Sequence, residues 1–141
     1  MIEAKGIHHI GIAVHSIEEQ RPFYETVLGA RFEGAEDVLE QQVRVAFFVL
    51  GPPGGEVRLE LLEPASPDSP IAKHLAKRGP GLHHVAYAVT GLQQRLDWLK
   101  SNGFALIDER PRRGAHGQWI SFLHPRGTHS VLTELCEPRD E

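Results

Sequence analysis

The chain has 141 residues, 40% of them hydrophobic and 24% charged, which is enough for one well-packed domain and too few for two ordinary ones. Its net charge of −4 argues against wholesale nucleic-acid binding, which goes with a basic domain, and leaves an anionic small molecule open as a partner. No apolar run approaches the roughly 18 residues of a membrane span, Met1–Gly6 carries no signal-peptide core, and one cysteine (Cys136) makes no internal disulfide, so a cytoplasmic protein that does not engage membranes is expected.

Ile7–Val14 alternates as a strand, with His8, Ile10, Ile12 and Val14 on one face and His9, Gly11 and Ala13 on the other. The small face leaves room for a ligand or a metal. Ser16 and Glu19 match a capping box, and the helix they open extends to Leu28, closed by Gly29. Pro22 within it requires either a start near Gln20 or a distortion. Strands are predicted at Arg31–Asp37, Val43–Leu50 and Glu56–Leu62, with Gly51–Gly55 as the turn between the last two.

A connector from Pro64 leads to Ser69-Pro70, a cap and a first-turn proline, and the short helix that follows (about 69–79) ends at Gly79. Its Lys73, Lys77 and Arg78, and later Arg110, Arg112 and Arg113, fit a solvated surface. Leu82–Val89 then restarts the strand pattern, Leu92, Leu96 and Leu99 mark a helix closed by Gly103, and strands are predicted at Ala105–Glu109, Trp119–Leu123 and Ser130–Cys136. The tail Arg139-Asp140-Glu141 is expected to be unstructured.

The chain is a duplication. Ile7-His8-His9-Ile10-Gly11-Ile12-Ala13-Val14 returns as Leu82-His83-His84-Val85-Ala86-Tyr87-Ala88-Val89, and Val57–Pro64 returns as Val131–Pro138, sharing Val, Glu, Leu, Glu and Pro. His9 and Glu60 stand 51 residues apart, His84 and Glu134 stand 50 apart. Each half thus offers one imidazole and one carboxylate. Two of each suit a divalent transition metal with positions left for substrate. Face parity selects His9 and His84 over His8 and His83, which fall with the bulky residues. Glu63 and Glu137, before proline at the strand ends, are taken as boundary residues. Gly114-Ala115-His116-Gly117 is either an anion-cradling loop or an ordinary turn, and His124 and His129 are taken as structural.

The chain resembles the vicinal-oxygen-chelate superfamily and, within it, the methylmalonyl-CoA epimerases. The resemblance rests on His8–Val14, Glu40-Gln41, Glu60–Pro64, Asp68–Lys73, Gly81–His84, Gly114–Gly117, Phe122–Pro125 and Val131–Leu135. It implies an α+β fold of two tandem βαβββ modules (about 6–64 and 81–138, joined by the linker helix) forming a cup-shaped mixed sheet around a metal, all within one domain over 1–141. It further implies a metal site of His9, Glu60, His84 and Glu134, with Glu134 also a catalytic base. One divalent ion per chain is implied, cobalt first and zinc, nickel or manganese as alternatives. The implied reaction is a proton shift on methylmalonyl-CoA, an acyl-CoA partner, in a homodimer. A glyoxalase-I-like isomerase and a non-catalytic binding or resistance protein are the alternatives on the same fold. Some relatives have glutamine where this chain has Glu60. A second departure is Val45, which stands where some members place the other base, and a third is Thr128-His129-Ser130, where glycine is frequent.

Overall fold

The computed structural model describes residues 2–140, and among these no helix is long and apolar enough to cross a membrane. The chain separates into two compact units, one comprising His9–His83, the other the N-terminal residues through His8 together with the chain from His84 onward. The fold is mixed α+β.

In the first unit, β1 (Gly6–Ala13) leads into α1 (Ile17–Pro22), β2 (Arg31–Val38), β3 (Val43–Leu50) and β4 (Val57–Pro64). Hydrogen bonding orders these strands β2-β3-β4-β1, with β1 parallel to β4 and the other pairs antiparallel. Parallel pairing of β1 with β4 needs a crossover, and the α1–β2–β3 segment supplies it. Ala46, Phe48 and Leu61 turn to one side and pack with Val14, Ile17, Tyr24 and Ala30, so α1 covers that face. Val43, Val45, Phe47 and Val49 turn the other way and are buried as well, which explains why β3 is an almost unbroken apolar run.

Pro22 distorts the helix rather than beginning it. Lacking an N–H, it ends the regular hydrogen bonding, and the chain widens into a π-helical turn over Phe23–Val27, where the Leu28 N–H reaches the Phe23 carbonyl at 3.2 Å. The turn after β3 depends on Gly51, whose φ is +100° and where a Cβ would stand 2.6 Å from the Gly55 carbonyl oxygen. Helix α2 (Pro70–Arg78) follows, capped by Ser69 Oγ accepting the Ile71 N–H at 3.1 Å, and it packs on β4 with Ile71 and Leu75 buried.

The second unit repeats the plan with β5 (Gly81–Ala88), α3 (Leu92–Ser101), β6 (Arg112–Arg113), β7 (Gln118–Leu123) and β8 (Thr133–Pro138), ordered β5-β8-β7-β6. Strand β5 runs parallel to β8, and β8 and β6 run antiparallel to β7. Leu92 and Leu96 of α3 pack with Val89 and Leu135. Cys136 is buried beside Ala86, Ile120 and Phe122, with Sγ 3.5 Å from the Tyr87 carbonyl oxygen, so it fills space as a small hydrophobe.

Three expectations are corrected here. Ala105–Glu109 is no strand; only a single bridge joins Leu106 to Leu123, and the paired residues are Arg112 and Arg113. Asp108 is the cause: its carboxylate accepts the Phe122 N–H at 2.9 Å and its carbonyl accepts Ser121 Oγ at 2.8 Å, which bends the segment off the ladder. The last strand begins at Thr133 rather than Ser130, because His129 and Ser130 have φ of 54° and 73°, a turn conformation. Arg139 is also structured. Its N–H reaches the Gly117 carbonyl at 2.8 Å and its guanidinium donates to the carbonyls of Gly114 and Gln118 at 3.0 and 2.7 Å, while Glu141 lies outside the described residues.

Candidate functional site

The parallel pairing inside each unit brings its histidine to its glutamate. In the first, Gly11 stands in register with Glu60, so His9, two residues earlier on the same face, points along the strand toward the carboxylate. Its Nε2 lies 3.5 Å from Glu60 Oε1, and the two residues are 4% and 5% exposed. Phe47 stands opposite Glu60 on β3, and its ring meets His9 edge to face at 5.9 Å between centroids.

The second unit reproduces this feature by feature. Ala86 is in register with Glu134, His84 precedes it by two, and His84 Nε2 lies 3.6 Å from Glu134 Oε1, with both residues buried. Phe122 stands opposite Glu134, and its ring meets His84 at 5.5 Å and 85°. The two phenylalanines were not singled out from the sequence. They precede their glutamates by 13 and 12 residues, which is the signal that would have found them.

These donor sets fit a divalent transition metal. Imidazole nitrogen with carboxylate oxygen is the ligand chemistry of zinc, cobalt, nickel and manganese. The small face of β1 is more buried than the bulky one: Gly11 and Ala13 are buried, Ile10 and Ile12 only half so.

The other histidines of each duplicate are half-buried and meet a second ring. His83 stacks edge-on with His74 at 4.9 Å, and His8 with His116 at 5.8 Å. Burial, and then the nearby Arg78, hold His74 below the ordinary imidazole value.

Glu63 and Glu137 have a structural task. Glu63 accepts the Ile17 N–H at 2.9 Å and Glu137 accepts the Leu92 N–H at 3.3 Å, each at the first turn of the helix of its own unit. A carboxylate there satisfies an otherwise orphaned donor and complements the helix dipole. The 114–117 loop closes on itself, with Gly114 N–H bonded to the Gln118 carbonyl at 3.0 Å and Gln118 N–H to the Ala115 carbonyl at 3.3 Å, which supports the ordinary-turn alternative. His124 is structural: its Nδ1 accepts the Arg126 N–H at 3.0 Å.

A family model described as the Glyoxalase/Bleomycin resistance protein/Dioxygenase superfamily matches residues 8–122. The chain belongs to that superfamily. It is 49% identical over 135 residues to the uncharacterized protein YqjC of Bacillus subtilis, covering 96% of this chain and 94% of that one. It is 36% identical over 130 residues to the mitochondrial methylmalonyl-CoA epimerase of Homo sapiens, covering 92% of this chain and 72% of the human one. A solved structure of methylmalonyl-CoA epimerase in complex with methylmalonyl-CoA and NH4+ superimposes with a TM-score of 0.89 at 37% identity, covering 96% of each chain. The superfamily's glyoxalase-type fold is thus this chain's fold.

Proposed function

We propose that this protein is a metal-dependent epimerase that interconverts the epimers of methylmalonyl-CoA. The observation that carries the reading is the duplicated His–Glu pair, buried in both units of a chain related over nine-tenths of its length to epimerases of that substrate.

The duplicated pairs His9/Glu60 and His84/Glu134 would hold one divalent ion, cobalt first, with zinc, nickel or manganese as alternatives. When bound, such an ion supplies Lewis-acid stabilisation of the negative charge that develops on the substrate's oxygens. The reacting C–H lies between a thioester and a carboxylate, so removing its proton gives an enolate, and planarity of the enolate erases the configuration. Glu134 takes that proton from one face, and protonation of the enolate from the opposite face completes epimerisation. The phenylalanine edges at His9 and His84 keep bulk water from the imidazoles. A homodimer acting in the cytoplasm is the assembly this reading carries.

The test is incubation of the metal-loaded protein with one epimer of methylmalonyl-CoA in D2O. Epimerisation with deuterium entry at the 2-position is expected. Neither, where a known epimerase gives both, rejects the reading.

A further inference from the structure

Taking the proton from C2 places new negative charge beside the carboxylate that the substrate already carries, so a fixed cation at that carboxylate favours both binding and reaction. We infer that Arg112, on β6, receives the substrate's free carboxylate and so selects malonyl-type thioesters. The inference deepens the epimerase reading above and rests on it.

Strand register puts Arg112 on the face that carries His84 and Glu134, all within the second unit. Arg112 stands opposite Ile120 on β7. Ile120 packs with Ala86, Phe122 and Cys136, and Ala86 and Cys136 follow His84 and Glu134 by two positions on their own strands. Directly opposed residues of an antiparallel pair send their side chains to one face, so Arg112 shares this one. Arg113, next in the chain, does not. It stands opposite Trp119, which packs against Leu92, Leu96 and Leu135 on the α3 side.

Phe122 gauges how near the guanidinium comes. Its ring centre lies 5.6 Å from Arg112 Cζ and 5.5 Å from the His84 ring centre, and Phe122 stands opposite Glu134 on β8. Guanidinium and imidazole thus contact one phenyl ring, which is the reach of an acyl group. The phosphates of coenzyme A lie at the far end of the pantetheine arm.

The arginine is anchored at one end and open at the other. Asp108 Oδ2 accepts the Phe122 N–H at 2.9 Å and stands 3.3 Å from Arg112 Nε, an atom shut off from water. The β7 backbone therefore fixes the aspartate, and the aspartate fixes the guanidinium. Among the described residues no group takes its Nη donors, and the side chain is 35% exposed. Parallel N–H groups on a planar fork match the two oxygens of a carboxylate. Strands β5 to β8 carry no lysine or arginine besides Arg112 and Arg113, so no other cation of these strands serves this face.

The test compares malonyl-CoA with acetyl-CoA, which differ by the carboxylate alone. Calorimetric titration of the metal-loaded parent, Arg112→Gln, Arg112→Lys and the control Arg113→Gln reads binding, with circular dichroism and metal content measured on each. Arg112→Gln is expected to weaken malonyl-CoA binding by about 10–100-fold while acetyl-CoA binding stays within about twofold of the parent, and KM for methylmalonyl-CoA should rise by a like factor. Arg112→Lys keeps the charge without the fork and should fall between, which preserves the comparison should the glutamine variant not fold. Arg113→Gln should match the parent. Unchanged malonyl-CoA binding by Arg112→Gln overturns the assignment. Equal weakening of both thioesters overturns it too, because the contact would then be with the coenzyme A phosphates. Failure of the epimerase reading shows in the parent instead, which would not epimerise methylmalonyl-CoA.

Discussion

The Glu63 carboxylate accepts the backbone N–H of Ile17 at 2.9 Å, tying the end of β4 to the first turn of α1 across 46 residues of sequence. Glu137 does the same for Leu92 at the start of α3, across 45. The duplicated glutamate that follows the metal-ligand candidate in each half is therefore a helix cap supplied from a strand. Glu63→Ala and Glu137→Ala should each lower unfolding free energy by about 1 kcal/mol. Urea unfolding measures it, and metal content should not change. The second variant should be the more damaging to its helix, because α1 keeps Ser16 Oγ on the Glu19 N–H at 3.2 Å whereas Gly91 gives α3 no side-chain cap.

Metal retention separates oxygen donation from charge at Glu60. Glu60→Gln keeps a carbonyl oxygen in the same place and should retain close to the parent's metal per chain after dialysis, read by elemental analysis. Glu60→Leu and His84→Ala remove a donor atom and should each lose most of it. Unchanged stoichiometry in His84→Ala would show that the metal is held elsewhere.

His74 gives the stability a pH dependence of known sign. Its folded-state pKa is depressed, by burial first and by Arg78 second, so the folded protein binds that proton less readily than the unfolded chain. Above the unfolded value of about 6.5 both states leave it neutral and nothing changes. As the pH falls through that value, the unfolded state gains the proton first and stability drops. The melting temperature of the parent should therefore fall further between pH 7.5 and 5.5 than that of His74→Gln.

Gly114 is required for room rather than for conformation. A Cβ there would stand 2.6 Å from Ile120 Cγ2, on a buried side chain that cannot retreat. Gly114→Ala should cost about 1–3 kcal/mol, and Gly114→Ala with Ile120→Val should recover part of it, as thermal denaturation would show.

Much of this was legible because duplication writes the same signal twice. The alternation around His9 and His84 separated these two buried histidines from the half-buried His8 and His83, and the largely apolar β3 was located to the residue. The roles of Glu63 and Glu137 were not legible, since a cap donated from 46 or 45 residues away leaves no local pattern. Ala105–Glu109 misled for a related reason: its residues suit a strand, and only the Asp108 contacts to Ser121 and Phe122 pull it off the ladder. The contacts of Phe47 and Phe122 were not legible, because nothing in a phenylalanine's immediate neighbourhood says that a histidine will lean on its edge.

The duplicate copies differ most in their outer strand, which has eight residues in β2 and two in β6. Every amide of β3 thus sits between two full-length partners, whereas β7 has one full-length partner and a short one. Local opening should follow that imbalance. Amide hydrogen exchange would find its slowest protons in the first unit and its earliest-opening strand in the second, so the half with the more complete sheet holds the fold together while the other breathes.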